Sequence, residues 1–301
     1  MSLPRSQNTE PGGNALDLPS ESELPLFVYG ALKPGLPAHE QLRDYVEATR
    51  PTVIAGQLWV RDGLPLLRPE EDGEVCGCLI VWKKGFEIEG YGRVCLFEPR
   101  KHYQWHLVTL GDGTRANALA ARFPKKGNPV FWNSNTWRLC DDPAFGPALD
   151  EIDLVLREVE RLPPSGDGLD WKRFFRAQMA YLLLWSVLER LAALCFGPAA
   201  DPMQRIKRLH ELEGVPQAVL KHVTRTGEKV ADSRNPEQAI KLDPENAEAC
   251  FKYYYQLRSN LSHRGKAVFD DFDKVHMSLR ELLAITQEYL SGLKSREKSS
   301  T

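Results

Sequence analysis

The sequence lacks a strong excess of charge of either sign. Its 301 residues include 39 basic and 41 acidic side chains, giving a formal net charge of -2 at pH 7. This balance argues against a protein that coats nucleic acid through bulk electrostatics, although a local basic patch is compatible with it. Hydrophobic residues make up 42% and charged residues 27%, the composition of a soluble globular protein. The length favours two domains.

Cysteine is scarce, and none of the six cysteines forms a CxxC pair. Cys76 and Cys78 alternate along a predicted strand and would face the same side of it, an arrangement that could suit a metal ion. No second pair or histidine cluster completes a tetrahedral set, so we expect small core side chains. The sequence therefore predicts neither a metal site nor another cofactor.

Targeting and membrane-spanning signals are also missing from the pattern. Residues 1–23 lack the basic start and apolar run of a signal peptide, and their Pro, Gly, Ser and Glu content predicts a disordered leader. The most apolar run, Met179 to Phe196, carries Glu189 and Arg190 near its centre and barely reaches spanning length. We expect a buried core helix there, a cytoplasmic protein and no membrane partner.

Short runs of strand length fill the sequence from Leu24 to about Phe131. They are rich in Val, Ile, Leu and aromatic residues and are separated by Gly and Pro clusters, with one helix predicted around Ala38 to Ala48. This pattern predicts an α+β domain with a mixed sheet, closed by a helix from Pro147 to Leu162. The predicted strands are LPLFVYG, TVIAGQLWV, EVCGCLIVW, YQWHLVTL and TRANALAARF.

The second half has helical periodicity. After a linker at residues 163–168, apolar residues recur at three- and four-residue spacing, which predicts an all-α bundle over residues 169–293 and a disordered tail at 294–301. The predicted helices are Trp171 to Phe196, Asp201 to Glu213, Pro216 to Thr226, Pro244 to His263 and Phe269 to Leu293.

The string FVYGALKPG runs from a predicted strand into a glycine-containing loop. Gly30 and Gly35 allow a tight turn that leaves backbone amides free to face a ligand. The dipeptides YG and PG also occur in ordinary hairpin turns, so a purely structural role is the alternative. This string resembles the opening signature of the gamma-glutamylcyclotransferase-like family. The later strings VIAGQLWV, DGLPLLRP, EVCGCLIVW and LFEPRKHYQWHLVTLGDGTRANALA follow in the family's order, over about Leu24 to Phe123.

The resemblance implies a domain over residues 24–162 that forms 5-oxoproline from a small gamma-glutamyl-like ligand. A carboxylate with a pKa raised by burial would move the proton from the attacking amine to the leaving amine. The family glutamate falls on Glu98. The implied substrate-binding residues are Tyr29, Gly30, Ala31, Leu32 and Tyr103, where the three residues after Tyr29 contribute backbone amides.

One departure leaves the position of that glutamate open. Family members usually have a glycine after the glutamate, whereas Pro99 follows Glu98. Glu89 is an alternative, because Gly90 and Tyr91 follow it. A third interpretation is that neither carboxylate is catalytic and the domain binds a ligand or regulates, since one fold hosts many functions.

The string YYYQLRSNLSHRGK carries Arg258 and His263 late in a predicted helix. It resembles the Arg-x4-6-His motif of HEPN domains, many of which are metal-independent RNases that pair two motifs across a dimer. The resemblance implies phosphate stabilisation by Arg258, proton transfer by His263 and partial compensation by Asn260 for Ser259, which departs from the family pattern. Arg264 and Lys266 would hold flanking phosphates.

Helix geometry qualifies this interpretation. A five-residue step rotates roughly 140° beyond a full turn, so Arg258 and His263 do not share a face, whereas Asn260 and His263 do. Tyr253 to Tyr255 could stack bases, but packing is favoured. The simplest alternative is a positive helix end that faces water.

Three functions follow from these patterns. We favour a toxin- or defence-type RNase coupled to a domain that senses or modifies a small ligand. The first alternative is a gamma-glutamylcyclotransferase-type enzyme whose helical domain serves dimerisation. The second is an inactive scaffold that binds a ligand or RNA. A homodimer through the helical domain, RNA and a gamma-glutamyl-like ligand are the expected partners.

Overall fold

The computed structural model describes residues 15–69, 72–142, 144–161, 171–197, 201–232, 235–264 and 272–299. The chain divides into two compact units. Met1–Trp137 with Phe196–Ala199 form the first unit, and Arg138–Cys195 with Ala200–Thr301 form the second. The division thus falls before the predicted boundary at residue 162, because the helix predicted to close the first domain belongs to the second unit.

The first unit is built on one mixed sheet, as the sequence predicts. Its strand order is β2-β5-β1-β7-β4-β3-β8, and β6 pairs with β7 off this path. The strands are β1 Leu26–Val28, β2 Val46–Ala55, β3 Gln57–Arg61, β4 Leu64–Arg68, β5 Glu74–Trp82, β6 Tyr103–Thr109, β7 Arg115–Ala121 and β8 Val130–Phe131.

Strand β7 is the centre of this sheet. It pairs in parallel with β1 and β4 and antiparallel with β6, so three strands meet along seven residues. Ala116, Ala118 and Ala120 are buried here, and their small side chains allow the surrounding elements to approach closely. Such crowding explains the alanine-rich composition of a strand that intrinsic propensity alone disfavours.

Several elements of the first unit differ from the sequence-based prediction, and the predicted strand TVIAGQLWV is divided between β2 and β3, which are separated at Gly56, where φ is 137°. Helix α1, Glu87–Phe97, follows β5, although we predicted only the helix near Ala38, which is a 3-10 helix at Pro37–Tyr45. Two glycines weaken the helical signal of α1 in the sequence. Packing requires one of them, because a Cβ at Gly90 would lie 2.7 Å from the Trp82 ring. Strand β4 lies within DGLPLLRP, where proline suggested a connecting stretch.

The end of the predicted leader has a defined place in the first unit. The amide of Leu16 donates to the Cys95 carbonyl at 3.3 Å, Ala15 forms a β-bridge with Pro99, and the Trp105 indole donates to the Asp17 carbonyl at 2.6 Å. Residues 15–23 therefore differ from the prediction of a disordered leader, and residues 1–14 lie outside the described part.

The second unit is mainly helical. Its helices are α2 Gly146–Arg161, α3 Trp171–Phe196, α4 Pro202–Lys207, α5 Val215–His222, α6 Ala247–Arg264 and α7 Phe272–Ser299, with short 3-10 helices at Leu139–Asp141 and Leu209–Glu211.

Two features of the second unit correct the predictions of an all-α bundle over residues 169–293 and of a disordered tail after it. An antiparallel hairpin, β9 Lys229–Asp232 and β10 Asn235–Lys241, interrupts the helices. Helix α7 continues to Ser299, through most of the predicted tail at 294–301. The predicted linker at 163–168 lies outside the described residues.

Helix α3 coincides with its predicted limits. Within the described residues it is the one helix that is long and apolar enough to cross a membrane by length and composition. Of its most apolar window, 56% is buried inside the protein. A core helix has this same combination of apolar composition and internal burial, in keeping with the prediction from its central charges.

Gly77 on β5 tests the packing of the first unit. A Cβ at this position would lie 2.5 Å from the Phe27 ring and would also contact the Val28 carbonyl. We expect Gly77→Ala to lower the free energy of unfolding by about 1–3 kcal/mol, because β1 would have to move. Urea denaturation measures the effect. Gly111→Ala is the control, since nothing lies within 4 Å of its Cβ; equal effects would contradict the packing described here.

Candidate functional site

Glu98 directly follows α1 and is half-buried. Its amide caps the helix by donating to the Val94 carbonyl at 2.9 Å, and its backbone is extended, with φ −97° and ψ 128°. Burial raises the pKa of its carboxyl group to about 8. Among the described residues no side chain or amide donates a hydrogen bond to that carboxyl group. A carboxyl group in this state can both accept and release a proton near neutral pH.

Pro99 restricts the backbone conformation of Glu98. A residue before proline is restricted to extended conformations, which is the conformation that Glu98 adopts. The Pro99 carbonyl then accepts from the amides of His102 and Tyr103, at 2.9 and 3.3 Å, in the turn that leads into β6. The proline that departs from the family pattern is therefore compatible with a fixed carboxyl group at this position.

Two buried tyrosines connect the strands beside Glu98. The Tyr29 hydroxyl donates to the Leu119 carbonyl at 2.6 Å and accepts from the Leu67 amide at 3.1 Å. The Tyr103 hydroxyl donates to the Pro65 carbonyl at 2.9 Å. Burial first, and then the charge of Glu98, raise the pKa of Tyr29. Both tyrosines are predicted ligands of the substrate, and these bonds already give both hydroxyls a structural role.

The loop after Tyr29 presents unpaired amides. Among the described residues the amides of Gly30, Ala31 and Leu32 donate no backbone or side-chain hydrogen bond. The loop itself is fixed, because the Lys33 ammonium donates to the Trp137 carbonyl at 2.6 Å and the His39 ring lies 3.0 Å from the Leu32 carbonyl. Such preorganised amides suit a carboxylate or an oxyanion.

The two candidate glutamates have different surroundings. Glu89 is exposed on α1, whereas Glu98 is half-buried and lies near enough to Tyr29 to affect its pKa. Desolvation is the usual way in which a protein prepares a carboxyl group for proton transfer near neutral pH. The geometry therefore favours Glu98 over Glu89. Sequence reasoning missed the roles of Lys33 and His39, because no sequence motif indicates the contacts by which they fix the loop.

In the second unit, the residues of the predicted RNase site are occupied by other contacts. Arg258 donates to Glu189 of α3 at 3.0 Å, and its guanidinium lies 5.8 Å from the centre of the Tyr255 ring. Asn260 is buried; its amide donates to the Ala231 carbonyl of β9 at 3.0 Å and its oxygen accepts from Gln256 at 2.9 Å. Asn260 therefore secures the hairpin.

The remaining residues of that predicted site are described only in part. His263 and Arg264 belong to α6, but their side chains lie outside the description, as does Lys266 altogether. Tyr253 and Tyr254 are fully buried and donate to Glu228 and Glu281, each at 2.8 Å. The prediction that most of this tyrosine run packs within the bundle is confirmed.

The comparisons with known proteins concern the first unit. Residues 26–139 match the family model described as gamma-glutamyl cyclotransferase, AIG2-like. This segment is similar to gamma-glutamylcyclotransferase-like domains. The match covers less than half of the chain and coincides with the sheet, α1 and the Glu98 site. For the second unit, helical structure is shown, and the HEPN-like interpretation stays a prediction.

A solved structure is also similar to part of this chain, that of an uncharacterized protein from Pyrococcus horikoshii. It is 20% identical, covers 45% of this chain and 97% of its own, and superposes with a TM-score of 0.30. No curated protein matches the chain. Of the described residues, none form a cluster of three or more side chains that could hold a metal ion.

The burial of Glu98 predicts a pH-dependent stability. Its folded-state pKa of about 8 lies above the ordinary unfolded value of about 4.3. The contribution of Glu98 to the free energy of unfolding is therefore fully present at acid pH, and it is lost as the pH rises towards 8, because the unfolded chain releases the proton more readily. Glu98→Gln stays neutral. We expect its free energy of unfolding to rise relative to wild type between about pH 5 and 8.5, by up to a few kcal/mol, as each pKa unit is worth ~1.4 kcal/mol.

Urea denaturation at a series of pH values measures this difference. Glu89→Gln is the matched control, because Glu89 is exposed on the same helix. Parallel curves for wild type and Glu98→Gln would show that Glu98 ionises as an ordinary glutamate.

Proposed function

We propose that the first unit catalyses the cyclisation of a gamma-glutamyl amine to 5-oxoproline. The observation that carries this proposal is the half-buried carboxyl group of Glu98, in the same small domain as a loop with three unpaired amides. The family match over residues 26–139 supports it. Both parts belong to the described structure of one unit, so the proposal requires no contribution from the helical unit.

The reaction has a simple balance of bonds and protons. The substrate's α-amine attacks its own side-chain carbonyl, a new C–N bond closes the five-membered ring, and the bond to the leaving amine breaks. Glu98 accepts the proton from the attacking nitrogen and returns it to the leaving nitrogen. The amides of Gly30, Ala31 and Leu32 hold the substrate carboxylate or the developing oxyanion. Tyr29 and Tyr103 act as positioning residues through their hydrogen bonds to the strands.

The raised pKa sets the pH dependence of this chemistry. With a pKa of about 8, most Glu98 carboxyl groups are protonated at neutral pH, and the basic form grows as the pH rises. The free α-amine also becomes more abundant in that direction. The rate is therefore expected to increase from neutral pH towards about pH 8 and above.

The test is 5-oxoproline release from a panel of gamma-glutamyl amines by the purified full chain. We expect Glu98→Gln to lower kcat/KM by at least ~10²-fold, because general acid–base groups contribute about 10²–10⁴-fold. Glu89→Gln should retain activity, since Glu89 is exposed. Release that survives in Glu98→Gln, or that depends on Glu89, would contradict the proposal. The absence of release from every substrate would favour the binding scaffold instead.

A metal-independent RNase is the second candidate function, and it would suit a toxin or defence role. Its support is the Arg258 and His263 pair on α6, and the Glu189 partner that would orient Arg258. Asn260 does not contribute to it here, because its amide is bonded to β9. RNA as a partner belongs to this hypothesis, and it stays a prediction, as do dimerisation through the helical unit and a cytoplasmic location.

RNA cleavage in EDTA separates the two candidates. The RNase hypothesis predicts that wild type cuts total RNA or a tRNA pool, that His263→Ala abolishes cleavage and that Glu98→Gln leaves it intact. Intact RNA with wild type, or equal cleavage by His263→Ala, would contradict it. The cyclotransferase assay should show the reverse dependence on these two variants.

A further inference from the structure

The second unit contains a cavity that neither proposed activity uses. It lies between α4, β10 and one face of α6 and has a volume of about 370 Å³. Small-molecule sites commonly enclose about 300–1,000 Å³, so this cavity can take a compact organic ligand. From α6 it is lined by residues at positions 248, 251, 252, 255, 256 and 259, the spacing of a single helix face.

The inner wall of the cavity is apolar and aromatic. Ile206 and Phe251 are 3% exposed each and form buried wall. Tyr255 is half-buried, and its ring meets Trp185 edge to face with centroids 5.7 Å apart, which holds it in place. Met203 is 44% exposed at the opening. A flat ring that enters this space would bury its faces against rings and aliphatic carbons.

Ser259 adds a polar group that lacks a partner. It lines the cavity and is 9% exposed, yet its hydroxyl makes no hydrogen bond within the described part of the chain. Ser262, on the same helix, instead donates to the Arg258 carbonyl at 2.8 Å. Because Ser259 lines the cavity, its hydroxyl can donate a hydrogen bond to, or accept one from, a polar group of a ligand there.

Two lysines give the cavity a positive balance. Glu248 pairs with Lys252 at 2.6 Å, so these two charges offset each other. Lys207 also lines the cavity, and its ammonium forms no ion pair among the described residues. The remaining charge is therefore positive, which favours an anionic ligand.

We propose that this cavity binds a small aromatic monoanion. Its ring would lie against Phe251 and Tyr255, a polar ring substituent would bond to the Ser259 hydroxyl, and its anionic group would pair with Lys207. Because the cavity lies within the helical unit, this proposal is independent of the chemistry at Glu98.

The test uses 6-hydroxy-2-naphthoate as the probe and its neutral amide, 6-hydroxy-2-naphthamide, as the matched ligand. Binding to the full chain is measured by calorimetry or by the probe's fluorescence. We expect the naphthoate to bind more tightly than the amide. Lys207→Gln should weaken the naphthoate roughly three- to tenfold and leave the amide unchanged, as expected for the loss of one charge-assisted contact.

Ser259→Ala should weaken both ligands roughly two- to tenfold, the effect of one hydrogen bond. Alanine is a better helix former than serine, so this variant should fold. Lys221→Gln is the control, because Lys221 is an exposed lysine on α5 that does not line the cavity. Failure to bind at millimolar concentration, equal affinity for the two ligands, or indifference to Lys207→Gln and Ser259→Ala would overturn the proposal.

Discussion

Shielding one carboxyl group from water at the end of a helix is the constraint on which the first unit depends. Glu98 is held extended by the proline that follows it, and no described residue donates a hydrogen bond to its carboxyl group. The neighbouring tyrosine hydroxyls already have partners: Tyr29 and Tyr103 bond to backbone atoms of β4 and β7. The carboxyl group of Glu98 is therefore partly removed from water without a hydrogen-bonding partner among the described residues, and the cost of burial appears as a raised pKa.

In the second unit, by contrast, a charged cluster is hydrogen-bonded. Arg225 donates to both carboxylate oxygens of Glu281, at 2.9 and 2.6 Å, and also to Ser278 at 3.0 Å and to Glu228. Burial lowers the pKa of Arg225, but the hydrogen bonds and charge of Glu281 raise it further, so the net direction is upward. This hydrogen-bonded pair fixes the segment that follows α5 against α7, and it leaves no group poised for proton transfer.

The sequence predicted those parts of the fold whose signal is local. Strand β5 and helix α3 coincide with their predicted limits, because the composition of each matches its burial. Helix α1 was missed because Gly90 is selected by its contact with Trp82, a tertiary requirement that lowers helix propensity. The β9–β10 hairpin was missed for a related reason: its edge is held by Asn260, which lies nearly thirty residues later than its Ala231 partner.

The candidate site shows the same division between local and tertiary signals. The order of motifs suggested Glu98 and the Tyr29 loop as candidates, and both lie within the range of the family match. The burial of Glu98 depends on tertiary packing, which the spacing of residues in the sequence does not reveal. In α6 the string around Arg258 suggested catalysis, whereas the structure shows that Asn260 holds β9 and that Arg258 pairs with Glu189. A motif names residue types, and only the fold decides which of them face solvent.

The most direct test of this account is the ionisation of Glu98 itself. The full chain, labelled with ¹³C at the glutamate carboxyl carbons, would be titrated by NMR, and Glu98→Gln would assign the signal by its disappearance. We expect one glutamate that titrates near pH 8, far above the ordinary value of about 4.3. A Glu98 signal that titrates near the ordinary value would contradict it, because the carboxyl group would then be solvated and no proton-transfer site would exist in this domain.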